Sequence, residues 1–276
     1  VREQVLAYWF GASDSMDAFL VAFRVPNLVR DLFAEGAMSA ALVPTFSRAL
    51  TTDGKARAWQ LGTSIMNALI LVTGVLVLGA IAFAPQLVQW LAGDFAAVPG
   101  KFELTVTLTR VMAPFLVLVA VAAACMGMLN SLNVFFIPAL SPAMFNVASI
   151  AVGVGLVPLA MQAGIQPILA MAFGTLVGGL GQVLLQWPPL RAHGFRWTPR
   201  LDLSDPGLRQ VLVLMGPGMV GLAATQLNVF VNTVVATGEG TGAVSWLGYA
   251  FRVMYLPIGL FGVSIATATT PALGRL

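Results

Sequence analysis

Apolar runs recur along the chain with short polar breaks between them, and roughly 20 apolar residues suffice for a helix to cross a bilayer. Val1–Phe10 reads as the tail of a helix carrying Arg2 and Glu3, followed by a turn at Gly11–Met16. The spans then predicted are Asp17–Arg48, Leu61–Ala84, Thr105–Leu129, Ile137–Leu159, Pro167–Leu185, Val211–Val235 and Val244–Ala272. Between them lie a polar loop at Thr51–Arg57, a longer loop holding Gly93, Asp94 and Pro99–Lys101, and turns at Asn130–Asn133, Gln162–Gln166 and Thr237–Gly242. The most polar break, Arg191–Arg209, holds His193, Arg196, Arg200, Asp202 and Asp205. The pattern predicts an all-α polytopic membrane protein with about seven complete spans and a partial first one. Period-2 alternation of the kind a membrane barrel shows is absent.

Asp17–Arg48 breaks the apolar rule. It carries Asp17, Arg24, Arg30, Asp31 and Glu35, and one charge at the centre of a membrane helix costs about 2.5–3.5 kcal/mol. AFRV at Ala22–Val25 recurs at Ala250–Val253, with Leu32-Phe33 echoed by Leu260-Phe261. After a one-residue slip, Pro44 and Arg48 are echoed by Pro271 and Arg275. The chain reads as built twice from one plan, with an arginine at the same place in each copy. Arg209, where the second copy opens, maps to a position before Val1, so most of one helix is expected to be missing at the start. The corresponding division is an N-terminal lobe over 1–190, a linker over 191–210 and the first two helices of a second lobe over 211–276.

Composition sharpens the class. Hydrophobic residues make up 58% and charged residues 9%, with mean hydropathy +0.89; soluble domains carry roughly 25% charged residues. The net charge of +3 comes from basic residues scattered among loops and spans, which gives no footprint for nucleic acid. Lys55, Arg57, Arg191, Arg196, Arg200 and Arg209 fall in breaks on one side with Arg48 and Arg275, whereas the other side holds Lys101, with Arg110 just inside the next span. The positive-inside rule makes the first side cytoplasmic. Cys125, the single cysteine, sits in an apolar run and His193, the single histidine, in a loop. No metal cluster or nucleophilic triad is readable, and neither is a Gly-rich phosphate loop.

Seven residues return a helix to nearly the same face, so Asp17, Arg24 and Asp31 share a stripe, continued by Glu35, with Asn27 on its flank and Arg30 further round. Leu20, Phe23, Val29, Phe33 and Leu42 fall on the opposite, apolar side. A salt-bridge ladder in which Arg24 pairs with Asp17 or Asp31 is the plainer reading. The functional one is a hydrophilic cavity. Arg2, Arg24, Arg30 and Arg252 are guanidiniums that stay charged and bind phosphate through two parallel hydrogen bonds. A cavity lined by them between pseudo-symmetric lobes suits a pyrophosphate.

The segments REQVLAYWFGA, DAFLVAFRVPNLVRDLFAEGAMSAALVPTFSR, Gly216-Pro217 and VSWLGYAFRVMYLPIGLFGVSIATATTPALGR resemble the MurJ/MviN lipid II flippases of the multidrug/oligosaccharidyl-lipid/polysaccharide exporter superfamily. The likeness runs from Arg2 to Arg275. It implies a fourteen-helix, two-lobe protein of the bacterial inner membrane that moves undecaprenyl-pyrophosphate-linked disaccharide-pentapeptide from the cytoplasmic to the periplasmic leaflet for cell-wall biogenesis. Arg2, Asp17, Arg30 and Arg252 would then fall on the family's charged cavity positions, and Asn27 on its cavity-facing asparagine. Arg24 would stand where relatives carry Lys or Arg, with Glu3, Asp31 and Glu35 as supporting charges. The implied partners are lipid II and membrane lipid, with no cofactor and no catalysis; cell-wall synthesis and division proteins are further candidates. The alternatives are another exporter of the superfamily, for a polysaccharide lipid or a cationic drug, or a membrane scaffold or enzyme acting on polyprenyl carriers.

Overall fold

The computed structural model describes residues 2–32, 38–199 and 202–257, and among them the fold is all-helical. Eleven α-helices follow in order: α1 Arg2–Phe10, α2 Asp14–Leu32, α3 Met38–Arg48, α4 Lys55–Ala82, α5 Ala84–Ala92, α6 Lys101–Met112, α7 Phe115–Ser131, α8 Phe136–Gln162, α9 Ile168–Ala192, α10 Pro206–Thr237 and α11 Ala243–Pro257. Among the described residues four segments are long and apolar enough to cross a membrane: Lys55–Ala82, Lys101–Ser131, Phe136–Gln162 and Ile168–Ala192.

The expected Asp17–Arg48 span is represented by α2 and α3, with 33–37 outside the described residues. The Thr105–Leu129 span is two helices, because Pro114 has no N–H to donate to the helical ladder. The chain crosses the break through a tighter turn, Leu116 N–H donating to Ala113 O (3.0 Å) and Val117 N–H to Pro114 O (3.1 Å). The expected Thr51–Arg57 loop is instead a wide helical turn, Ala49–Asp53, that continues α3. It ends at Gly54, whose φ of 85° suits a residue without a Cβ. The expected loop after Ala84 contains α5 and a 3₁₀ turn, Gly93–Ala97. Ala84, Val88, Leu91 and Ala92 form the buried side of α5, and Trp90 the exposed one.

Helices α8 and α9 approach backbone to backbone. A Cβ added at Gly174 would lie 2.5 Å from Ser149 O, and one at Gly178 would lie 2.7 Å from Phe145 O. Small residues four apart permit such contact between membrane helices. One core joins α3, α4 and α7 through Leu42, Phe46, Ile65, Cys125 and Met128. Another joins α1, α2, α6, α7 and α9 around Leu6, Phe19, Leu108, Phe115 and Met171.

The repeat has a structural counterpart. The shift that carries Ala22 to Ala250 also carries Phe10 to Gly238 and Asp14 to Gly242. These lie one residue from the end of α10 at Thr237 and the start of α11 at Ala243. Both second-unit helices are capped by aspartate. Asp205 accepts from the N–H groups of Gly207 (2.8 Å) and Leu208 (3.4 Å) with Pro206 at the first helical position, a favoured start. Its carboxylate also receives both arms of the Arg57 guanidinium, at 2.8 and 2.7 Å. That hydrogen bond, foremost, holds Asp205 below the usual carboxylate range. Beside it, Trp197 donates to Asn67 Oδ1 (2.9 Å) and Phe195 packs between Trp59 and Trp187. The 193–199 segment therefore lies along α4.

Candidate functional site

Helices α1, α2, α7, α8, α9, α10 and α11 surround a cavity of about 970 Å³. Arg2, Arg24, Asn27, Arg30 and Arg252 all line it, as does Glu3. The guanidiniums of both repeat units thus border one space. Arg2 is 8% exposed. Its guanidinium lies 5.0 Å from the Phe23 ring centre and 5.3 Å from that of Phe145, at the range where cation–π attraction operates. Its Nε has no hydrogen-bond partner among the described residues. The rings beneath form a chain from α2 through α7 to α8, Phe23–Phe115 at 5.6 Å and Phe115–Phe145 at 5.4 Å.

Arg24 joins the two units directly. Its Nη2 donates to Thr233 Oγ1 at 2.7 Å and to the Val229 carbonyl at 3.3 Å, and its Nε donates to Thr233 Oγ1 at 3.1 Å. Arg252 meets Glu3 Oε1 at 3.2 Å with its side chain 67% exposed. So exposed a pair contributes about 0–1 kcal/mol, and a diphosphate with more charge and more acceptors can displace the carboxylate.

Asp17 lies elsewhere. It is fully buried and does not line the cavity. Lys101 Nζ donates to its Oδ2 at 3.0 Å, and the N–H groups of Gly242 and Ser245 reach it at 2.7 and 2.9 Å, with Ser245 Oγ at 2.6 Å. Asp17 is therefore a cap for α11 supplied by α2, placed where a helix N-terminus favours an anion. Lys101 also meets Asp14 at 2.7 Å, and Asp14 accepts from Thr241 Oγ1 at 2.9 Å. Asp17, expected among the cavity charges, lies buried one end beyond the cavity. The cavity face of α2 carries Leu20, Phe23, Arg24, Asn27 and Arg30, and its centre lies roughly 60° round the helix from the expected stripe at 100° per residue. Leu20 and Phe23, expected on the opposite side, line the cavity. Asp31 lies in α2 with its side chain outside the described set, and Glu35 lies outside the described residues.

Sequence reasoning missed Lys101, assigned to a loop yet 4% exposed. It also missed the neutral polar groups that border the same cavity: Ser141 and Asn146 on α8, Gln182 and Gln186 on α9, and Thr233 on α10. The signal was there, since polar residues inside apolar spans point to a pathway or an interhelical bond.

A family model for the lipid II flippase MurJ matches residues 6–276. The chain belongs to the MurJ family. It is 36% identical over 278 residues to the lipid II flippase MurJ of Burkholderia cenocepacia, covering 99% of this chain and 53% of that protein. It is 37% identical over 286 residues to the "Probable lipid II flippase MurJ" of Vibrio cholerae, covering 100% and 53%. A solved structure, lipid II flippase MurJ in an inward closed conformation, matches with a TM-score of 0.77 at 26% identity over 97% of this chain and 54% of that one. The chain spans about half the length of the MurJ relatives it matches. MurJ membership and the four apolar helices make it a multi-pass protein of the bacterial inner membrane.

Proposed function

We propose that this chain supplies the headgroup-binding lobe of a lipid II flippase, which carries undecaprenyl-pyrophosphate-linked disaccharide-pentapeptide from the cytoplasmic to the periplasmic leaflet by alternating access. The observation that carries the reading is the meeting of Arg2, Arg24 and Arg30 with Arg252 around one cavity. Guanidinium forks match phosphate oxygens, and their charge persists at any physiological pH. In this reading the chain forms seven complete spans and a partial one of a fourteen-helix transporter. Residues 1–190 make the first lobe, 191–210 a cytoplasmic linker, and 211–276 the opening helices of the second lobe. The protein reads as a transporter and not an enzyme, its work being binding and rocking of the lobes. A cationic cargo fits poorly, because the cavity's lining charges are mainly arginine.

Native mass spectrometry of the full-length protein tests the assignment. A co-purifying polyprenyl-pyrophosphate lipid, lost in the Arg30→Ala variant, is expected. Retention of cationic dyes in preference to pyrophosphate lipids would point to a drug exporter instead.

A further inference from the structure

The side of the cavity built by α8 and α9 has a chemistry of its own. Helix α8 contains no charged residue, and α9 has only Arg191 in its last turn. The polar side chains these two helices present to the cavity are Ser141, Asn146, Gln182 and Gln186, all neutral. Gln182 and Gln186 are four residues apart and so share one face of α9. Gln186 is fully buried; its Nε2 donates to Ser141 Oγ and to the Gln182 backbone carbonyl, both at 3.1 Å. Among the described residues its Oε1 has no donor, and neither has the Oε1 of Gln182.

A clamp serving only to hold α8 to α9 would use both ends of each amide, and these helices already meet through Gly174 and Gly178. Two buried amide oxygens without donors, side by side on a cavity wall, leave acceptors for a ligand that brings O–H or N–H groups. Asn146, exposed to the cavity, adds a further amide, with its Nδ2 on the Pro142 carbonyl at 3.0 Å. The two walls meet at Phe145, which carries the Arg2 guanidinium 5.3 Å from its centre and adjoins Asn146. A diphosphate alone fills a small part of 970 Å³, a volume at the upper end of pockets that enclose whole organic ligands, roughly 300–1,000 Å³.

We infer that Gln182, Gln186, Ser141 and Asn146 form a neutral subsite for the hydroxyl and amide N–H groups of the carbohydrate joined to the pyrophosphate, and that this subsite separates the loaded carrier from the bare one. The inference rests on the flippase reading above. Arginine sees the same diphosphate in undecaprenyl pyrophosphate and in its glycosylated form; the amide wall sees only the second. Gln182, half-buried, and Gln186, fully buried, both border the cavity.

The test is equilibrium binding of two lipids to the native full-length protein in nanodiscs: undecaprenyl pyrophosphate, and the same carrier bearing the disaccharide-pentapeptide. Gln182→Met and Gln186→Met are expected to weaken the glycosylated lipid by roughly tenfold, the scale of one or two lost hydrogen bonds, and to leave the bare pyrophosphate lipid unchanged. Unchanged binding of the bare lipid also shows that each variant is folded. Equal weakening of both lipids, or of neither, overturns the subsite while leaving the flippase reading standing. Failure of the unsubstituted protein to bind either lipid overturns both.

Discussion

Asp17 shows how far a single residue's role depends on depth as well as direction. Its carboxylate is buried with Lys101 and accepts three further hydrogen bonds at the head of α11. Removing one partner of a buried pair leaves the other charge uncompensated, at a cost of about 3–5 kcal/mol. Lys101→Met is expected to lower stability by that order in chemical denaturation of the detergent-solubilised protein. Adding Asp17→Asn should recover part of the loss, because neutral Asn no longer carries an unmatched charge. Equal stability of Lys101→Met and the unsubstituted protein would show that the buried pair does not hold this end together. The arginines behave differently. Arg252 makes an exposed pair with Glu3 and Arg2 rests on aromatic faces, so among the described residues neither is locked to a buried carboxylate.

At the scale of helices, two contacts make sharp predictions. Gly174→Ala would set a methyl group against Ser149 O, a backbone atom that cannot turn aside. Overpacking of this kind costs about 1–3 kcal/mol, so a lower thermal midpoint is expected. Gly155→Ala in α8 meets nothing within 4 Å among the described residues and should keep or raise that midpoint, given the better helix propensity of alanine. The cap on α10 makes the protein acid-sensitive. Asp205 titrates below the usual range because of Arg57. Its stabilising effect is therefore complete above the ordinary aspartate value of about 4 and is lost as pH falls through the lower folded value. Denaturation midpoints measured from neutral to acid pH should fall less steeply for Asp205→Asn.

Helices were legible where the apolar signal was long. Leu61–Ala84 corresponds to α4, Ile137–Leu159 to α8 and Pro167–Leu185 to α9, with ends displaced by a few residues or, for α4 and α9, by up to seven. Helix α5 was not, since nine residues beginning Ala-Pro between two spans read as a loop. The α6–α7 break was not legible, because Pro114 lies inside an apolar span and only packing decides whether a proline bends a helix or divides it. In the site, Arg2, Arg24, Asn27, Arg30 and Arg252 were expected together and border one cavity. The neutral wall went unseen, because Gln and Ser inside apolar helices carry no charge to draw attention. Lys101 was missed because its partners lie 84 and 87 positions away in the chain.

Over the whole molecule, the repeat gives the cavity its two-sided character. Three of the arginines come from α1 and α2 and one from α11, and Arg24 already spans the seam to Thr233 on α10. A ligand held from both sides couples its own binding to the relative position of the two units, which alternating access requires. Capping of α11 by Asp17 ties the same units at one end. The proposed function requires arginines of both units to hold one diphosphate. Its most direct test is undecaprenyl pyrophosphate binding to the full-length protein with Arg30→Ala, Arg252→Ala and both together. Each single substitution is predicted to weaken binding by roughly tenfold or more, the scale of a lost charge-assisted contact, and the double variant to bind more weakly than either. Full binding by Arg252→Ala, with binding lost in Arg30→Ala, would contradict it by confining the diphosphate to one unit.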